Sequence, residues 1–332
     1  MKIIKTLLLI IFYFQISSAY SENDDFNIWL NNFKKEALKE GISETTFSKV
    51  MKDAKFLPKV IKYDRYQPEF YEDTLTYVSK RTNDKKVQNG IKLFKSNKKI
   101  IKNIDQKFSV EKELLLALMG IETNYGTYVG KMDIVSSLAT LSFDKRRSAF
   151  FTNELLTILK LVDKGIINYK TLYGSWAGAF GYFQFMPSTI ERYAIDYNSN
   201  DIIELKSLED SFASAANYIN KIGWKKNQPC FYAVQLNDNI PKKFLNTSAK
   251  KLKNKKKASF FKKYIINYKE LNIEDGSEVA IITPDQDIVS KPNDLSPAYI
   301  VFDNYELILK WNRSLRFALA TCTLKDKFLN VL

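Results

Sequence analysis

Gly120-Ile121-Glu122-Thr123-Asn124-Tyr125-Gly126 ends an apolar run in which Leu114, Leu115, Leu118 and Met119 recur at helical spacing. The spacing predicts a helix with Ser109 as its N-cap, Glu111 and Glu113 in the first turn, and Glu122 at its end. On such a helix Glu122 shares a face with Leu115, Leu118 and Met119. Apolar neighbours disfavour a charged carboxylate, and so does the negative end of the helix dipole. Both push Glu122 toward the behaviour of a general acid at neutral pH. Gly120 and Gly126 are expected to leave room for a substrate on either side. The plain alternative is a glutamate reaching from a helix end into water.

Downstream stands Gly174-Ser175-Trp176-Ala177-Gly178-Ala179-Phe180-Gly181-Tyr182-Phe183-Gln184-Phe185-Met186-Pro187. Its glycines permit positive-φ turns or close backbone approach. Trp176, Tyr182 and Phe185 offer flat faces of the kind sugar rings stack on, and Ser175 and Gln184 offer hydrogen bonds to hydroxyl or acetamido groups. A tightly packed core turn explains the same pattern. Arg146 and Arg147 precede a helix expected from Ser148 to just before Gly165, where the dipole disfavours cations, so an anionic partner is expected there.

Elsewhere the pattern is helical with one interruption, so the fold class is mainly α. From Phe26 to Leu93 apolar positions recur at three and four residues (Trp29, Phe33, Ala37, Leu38; Tyr71, Leu75, Tyr77, Val78), broken by Pro58 and Pro68. Another helix is predicted from Ser207 to Gly223, with Ser207 and Asp210 as a capping box. Short alternating runs such as Phe231–Val234 and Val279–Ile282 predict a small strand-bearing insertion over about 229–302, before helical spacing resumes. The expected parts are a helical segment of about 24–105, a core of about 106–228, that insertion, and a C-terminal helix of about 303–332.

Lys2 and Lys5 flank an apolar run, Ile3–Ile16, and Ser17-Ser18-Ala19 supplies small residues after it. This reads as a signal peptide over 1–19. The run is short of the ~20 apolar residues of a spanning helix, and no cysteine follows it to carry a lipid. An exported, periplasmic protein with no transmembrane anchor is expected. The chain carries 51 basic and 37 acidic residues, a formal charge of +14, and no histidine. Histidine-based triads and histidine metal sites are thereby excluded. The charge suits anionic partners; without a phosphate loop or zinc-finger spacing, wall polymer is favoured over nucleic acid. The run Lys250–Lys257 reads as an exposed loop. Cys230 and Cys322 are the only cysteines. They are left open between a disulfide and separate thiols, with the buried thiol favoured for Cys322 because it sits in an apolar helical pattern.

The heptapeptide around Glu122, Leu138–Phe143 with Arg146-Arg147, the Gly174–Pro187 segment, Ala216-Asn217-Tyr218 and Trp311-Asn312-Arg313-Ser314 occur together and in order. With Asp64-Arg65-x-Gln67-Pro68-Glu69-Phe70 and Val87-Gln88-Asn89-Gly90, they resemble the membrane-bound lytic murein transglycosylase B family, glycoside hydrolase family 103. The resemblance implies a lysozyme-like catalytic core within one catalytic domain over 20–332. It implies cleavage of the β-1,4 bond between N-acetylmuramic acid and N-acetylglucosamine, leaving 1,6-anhydromuramoyl ends. It makes Glu122 the catalytic acid and base. It places Tyr77, Arg146, Arg147, Ser175, Gln184, Tyr218, Trp311 and Asn312 along a glycan groove. Trp311 and Phe150 stand where tyrosine is common, and Phe183 where glycine is frequent.

One carboxyl group suffices for such chemistry if the substrate's N-acetyl group assists at C1. No cofactor is expected. Asp196-x-Asn198-x-Asn200 with Asp210 resembles a calcium loop of some members, but Asp201 replaces the turn glycine, so a solvated loop with Asp210 as a cap is favoured. The expected partner is the peptidoglycan glycan strand, met by a monomer. A hydrolytic muramidase on the same fold and a non-catalytic wall-binding protein are the alternatives.

Overall fold

A computed structural model describes residues 24–66, 72–286 and 295–332. The expected signal segment 1–19 and Gln67–Phe70, with Pro68, lie outside them, as does Tyr71. The described chain is mainly helical and falls into two units, each gathered from separated stretches.

The first unit comprises the described residues up to Tyr66, then Val129–Arg192 and Ser199–Glu204. Its first helix, 24–39, turns Phe26, Phe33 and Ala37 inward and leaves Leu38 exposed. Phe26 meets Trp29, Phe56 and Phe143 ring to ring. Pro58 stands at the first position of the helix Pro58–Arg65, where its missing N–H costs nothing. Helix Ile134–Phe143 is buried over nearly its whole length and packs on Ser148–Asp163. Asp133 caps it by accepting from the N–H groups of Val135 and Ser136. A two-stranded antiparallel ribbon pairs Met132 with Gly174 and Asp133 with Tyr173.

The second unit comprises the described residues within Gln67–Tyr128, Tyr193–Asn198 and Leu205–Leu332. Its centre is the helix Lys112–Thr123, in which Leu114 to Gly120 are all buried. A helix apolar around its whole girth belongs in a core. Each such leucine contributes roughly 1.5–3 kcal/mol by leaving water. The helices Leu315–Leu329 and Asp84–Ser96 pack on it, and Leu315–Leu329 also packs on Thr74–Arg81. The predicted N-cap is corrected. Ser109 instead ends the preceding helix, Lys98–Phe108, in a left-handed conformation (φ 52°), and Glu111 takes the N-cap position. The Glu111 carboxylate makes no cap hydrogen bond there; it accepts from Trp224 Nε1 at 2.6 Å and from the Asn227 N–H. Ser207 does cap Leu208–Lys221, accepting from the Asp210 N–H. The Asp210 carboxylate departs from the capping-box pattern and accepts from the Tyr197 N–H at 2.9 Å.

Strands appear where the periodicity changes. Phe231–Val234 pairs antiparallel with Ala298–Val301, which pairs antiparallel with Glu278–Ile282. The last of these also takes Leu245–Asn246 in parallel and Lys256–Lys257 antiparallel. Val279–Ile282 and Ala298–Val301 are buried throughout rather than on alternate residues, as expected of strands covered on both faces. The lysine run is not the simple exposed loop predicted: Leu252 is buried, and Lys256-Lys257 form a strand. The favoured reading of the cysteines is corrected too. Cys230 and Cys322 form a disulfide, with Cα atoms 6.1 Å apart, within the span such bonds need. Helical patterning concealed it, because a half-cystine buried in an apolar helix face looks like any small buried residue.

Candidate active site

Glu122 lies on the last turn of Lys112–Thr123, with Leu115, Leu118 and Met119 buried on the turns beneath it. Its carboxylate is partly buried and accepts a hydrogen bond from the indole N–H of Trp311, Nε1 to Oε1, at 2.9 Å. Trp311 is the last residue of the helix Asp303–Trp311, and Asn312 caps that helix through its backbone N–H to Ile308 O. The indole stacks on Tyr218 at 5.0 Å and 18°, and Tyr218 stacks on Tyr193 at 4.3 Å and 14°. Tyr218 is fixed in turn by its hydroxyl, which donates to Lys310 O at 3.0 Å. Offset aromatic stacks of this kind hold ring planes in place. Glu122, Tyr218, Trp311 and Asn312 are thereby brought together.

The loop after Glu122 has a function the sequence misassigned. Asn124, Tyr125 and Gly126 all take positive φ (47°, 59° and 82°), reversing the chain. Tyr125 folds back so that its hydroxyl would lie 2.6 Å from a Cβ on Gly120 and 2.8 Å from one on Gly90. Gly120 therefore makes room for this phenol, and Gly126 serves the backbone turn. The Tyr125 hydroxyl is buried without a hydrogen-bond partner among the described residues, and burial raises its pKa well above the usual tyrosine range. Lys86 steadies the same helix end by donating from Nζ to Gly120 O at 2.6 Å and to Asn124 Oδ1 at 3.3 Å. Burial first, then the Arg81 charge, holds the Lys86 ammonium below its ordinary pKa.

Arg146 and Arg147 have an internal anion. The Asp64 carboxylate, its side chain only 1% exposed, accepts from Arg146 Nε at 2.7 Å and pairs with the guanidinium groups of both arginines. Arg146 also donates to Asp64 O at 2.6 Å. The cost of cations at the start of Ser148–Asp163 is thus offset within the fold. Both arginine side chains remain 40–47% exposed, so they still present donors to solvent.

Gly174–Pro187 forms two tight turns. Ser175 Oγ accepts from the Ala179 N–H, and the Ser175 N–H donates to Ala179 O. Phe180 and Phe185 close the second turn as an antiparallel bridge. Gln184, at φ 49°, donates from its side-chain amide to Gly181 O and Val129 O. Trp176 and Tyr182 are partly exposed, whereas Phe185 is buried and offers no face to a sugar. Phe183 is buried too and has no positive φ, which explains how a side chain replaces glycine there.

Tyr77, expected along the groove, lies on the helix Thr74–Arg81. It is 1% exposed, and the Arg81 guanidinium lies 3.5 Å from its ring centroid. Phe150 is exposed and meets Phe151 edge to face. Three residues escaped the sequence reading. Asp64 lies within a motif that did not mark it as the partner of the cationic pair, Tyr193 ends an unremarked short helix, Pro187–Tyr193, and nothing local marked Lys86.

Among the described residues no three acidic, cysteine or histidine side chains gather as ligands. In the 196–201 loop the Asp210 carboxylate accepts from the Tyr197 N–H, Asn200 Oδ1 accepts from the Ile202 N–H, and Asp201 takes φ 69°, the left-handed conformation that a turn glycine usually supplies.

Glu122 thus ends a buried helix, with its carboxylate held by an indole that belongs to an aromatic stack. The family described as transglycosylase SLT domain matches residues 25–326, and the chain belongs to it. Membrane-bound lytic murein transglycosylase B of Escherichia coli (strain K12) is 36% identical over 168 residues, 50% of this chain and 46% of that protein. The chain thus spans about half the length of the curated relative it matches. Among solved structures, SltB3 from Pseudomonas aeruginosa in complex with NAG-anhNAM-pentapeptide superposes with a TM-score of 0.81 at 28% identity, over 92% of this chain and 79% of that one. The Escherichia coli lytic transglycosylase Slt35 in complex with calcium gives 0.74 at 25% identity, over 93% and 95%. The fold is therefore mainly α and lysozyme-like, as the sequence predicted. No helix among the described residues is long and apolar enough to cross a membrane.

Proposed function

We propose that the protein is a peptidoglycan lytic transglycosylase with Glu122 as its single acid and base. It cleaves the β-1,4 bond between N-acetylmuramic acid and N-acetylglucosamine. The hydrogen bond from Trp311 Nε1 to Glu122 Oε1 carries this reading. An indole N–H only donates, so Oε1 accepts in either protonation state and the transferable proton belongs on Oε2. Glu122 gives that proton to the glycosidic oxygen as the C1–O4 bond breaks. The substrate's N-acetyl oxygen stabilises C1, the step a second carboxylate performs in ordinary glycosidases. The O6 hydroxyl then attacks C1, its proton returns to Glu122, and the C1–O6 bond closes the anhydro ring. Atoms balance without water.

Ser175 fits a role at the acetamido group: its Oγ accepts from the Ala179 N–H and keeps its own proton to donate. Gln184, Tyr218 and Asn312 serve as further glycan contacts, and Arg146 and Arg147 as donors to anionic parts of the wall. The matched relative and the fragment-bound SltB3 support this substrate class. The apolar run after Lys2 supports export to the periplasm.

Mass spectrometry of digested sacculi tests the reading. Anhydromuramoyl ends are expected from the intact protein and no products from Glu122→Gln, which still sediments with sacculi. Reducing ends would instead mark a hydrolase, and release of fragments by the Gln variant would remove Glu122 from its role.

A further inference from the structure

Pro241–Tyr264 contains ten lysines in 24 residues and no acidic residue. Of the chain's +14, +10 lies here, which leaves 41 basic against 37 acidic residues for the other 308. A uniform preference for lysine would spread the excess along the chain. It is concentrated instead in one part of the strand-bearing region.

The fold gathers it further. Phe244, Phe260 and Tyr264 touch in sequence, with ring centroids 5.1 and 5.9 Å apart. Lys243 Nζ stands 5.3 Å from the Phe244 ring; Lys256 and Lys263 stand 6.0 and 5.5 Å from Phe260. Lys263 is also 4.9 Å from Tyr264. Three ammonium groups thus surround one aromatic cluster. Among the described residues only Lys255, with Asp303 and Glu306, and Lys262, with Asp275, form ion pairs within this segment. The other eight lysines are exposed. Like charges held this close repel one another, and an anionic partner relieves the repulsion.

We propose that this face docks onto an anionic phospholipid surface. The segment holds no arginine, the residue suited to gripping single carboxylates or phosphates two-pronged. Compact ammonium charges suit a plane of spread negative charge, where each lysine adds a similar increment. Phe244 is buried in the core of this region, and Phe260 and Tyr264, packed against it but only partly covered, give the charged face a small apolar component. The site is separate from Glu122 and does not depend on the activity proposed above.

Co-sedimentation of the full chain with vesicles tests it. Binding is expected to phosphatidylglycerol-containing vesicles but not to pure phosphatidylcholine, and is lost as salt shortens the screening length. The triple variant Lys243→Gln, Lys256→Gln, Lys263→Gln should weaken binding about 100-fold. The corresponding Lys→Arg triple should retain it, and unchanged melting of both variants shows that the fold is kept. Equal binding to neutral vesicles, or no effect of the glutamine triple, overturns the proposal. So does retention on duplex DNA or sacculi in a protein that ignores anionic vesicles.

Discussion

The Trp311 indole N–H donates to Glu122 Oε1 at 2.9 Å, and the same indole is pinned flat against Tyr218. A hydrogen bond to a charged group contributes about 1.5–3 kcal/mol. Trp311→Phe keeps most of the stacking surface and removes the donor. On soluble glycan fragments it should lower kcat about 10- to 100-fold with little change in KM, because it frees the carboxyl rather than unbinding sugar. A raised KM at unchanged kcat would instead make Trp311 a sugar contact only.

Gly120 and Tyr125 form a second coupled pair. A Cβ on Gly120 would sit 2.6 Å from the Tyr125 hydroxyl and 2.8 Å from ring Cζ. Overpacking of this order costs about 1–3 kcal/mol. Gly120→Ala should therefore lower the urea midpoint, and Tyr125→Leu in the same chain should restore most of the loss. Tyr125→Phe alone removes a buried hydroxyl without a partner, so stability should hold or rise by up to about 1 kcal/mol. A marked loss on Tyr125→Phe would mean that the hydroxyl is satisfied in solution.

The helix of Glu122 was legible because Leu115, Leu118 and Met119 repeat at the period of an α-helix, and the strands because that period lapses after Pro229. Contacts made at long range left no periodic trace. Asp64 and Arg146 are 82 residues apart, and Glu122 and Trp311 are 189. Local propensity says nothing about which distant groups will meet. Gly120 shows a different failure: a missing side chain signals that something approaches closely, but not whether that is a substrate or the protein's own Tyr125.

Removing the arginines separates an anchor from a substrate contact. With Arg146→Ala and Arg147→Ala together, the Asp64 carboxylate remains buried and unpaired. Stranding a buried charge costs about 3 kcal/mol, and adding Asp64→Asn should recover much of it. Chemical denaturation of the three proteins reads this directly. Unchanged stability with a raised KM would assign the arginines to substrate alone.

The disulfide closes a separation of 92 residues. Loops of that size constrain the unfolded chain strongly, with typical contributions of about 2–4 kcal/mol. Replacing both Cys230 and Cys322 by Ala should lower the denaturation midpoint accordingly, and the intact protein should show no free thiol after unfolding. The double variant should also become insensitive to reductant, whereas the parent should lose stability when reduced.

Lys86 links stability to alkaline pH. Its folded pKa lies below the unfolded value of 10.5, chiefly because burial disfavours the ammonium. Between the folded value and 10.5 the unfolded chain holds more protons, so stability from this group rises with pH through that window. Below the folded pKa both states are protonated and the burial cost is present in full. Lys86→Met carries no such contribution, though it loses the bond to Gly120 O. The melting temperature of the parent minus that of the variant should therefore grow as pH approaches 10.5, while the other lysines cancel in the difference. A difference that stays flat across the alkaline range would mean that Lys86 is solvated in solution and does not cap the Glu122 helix.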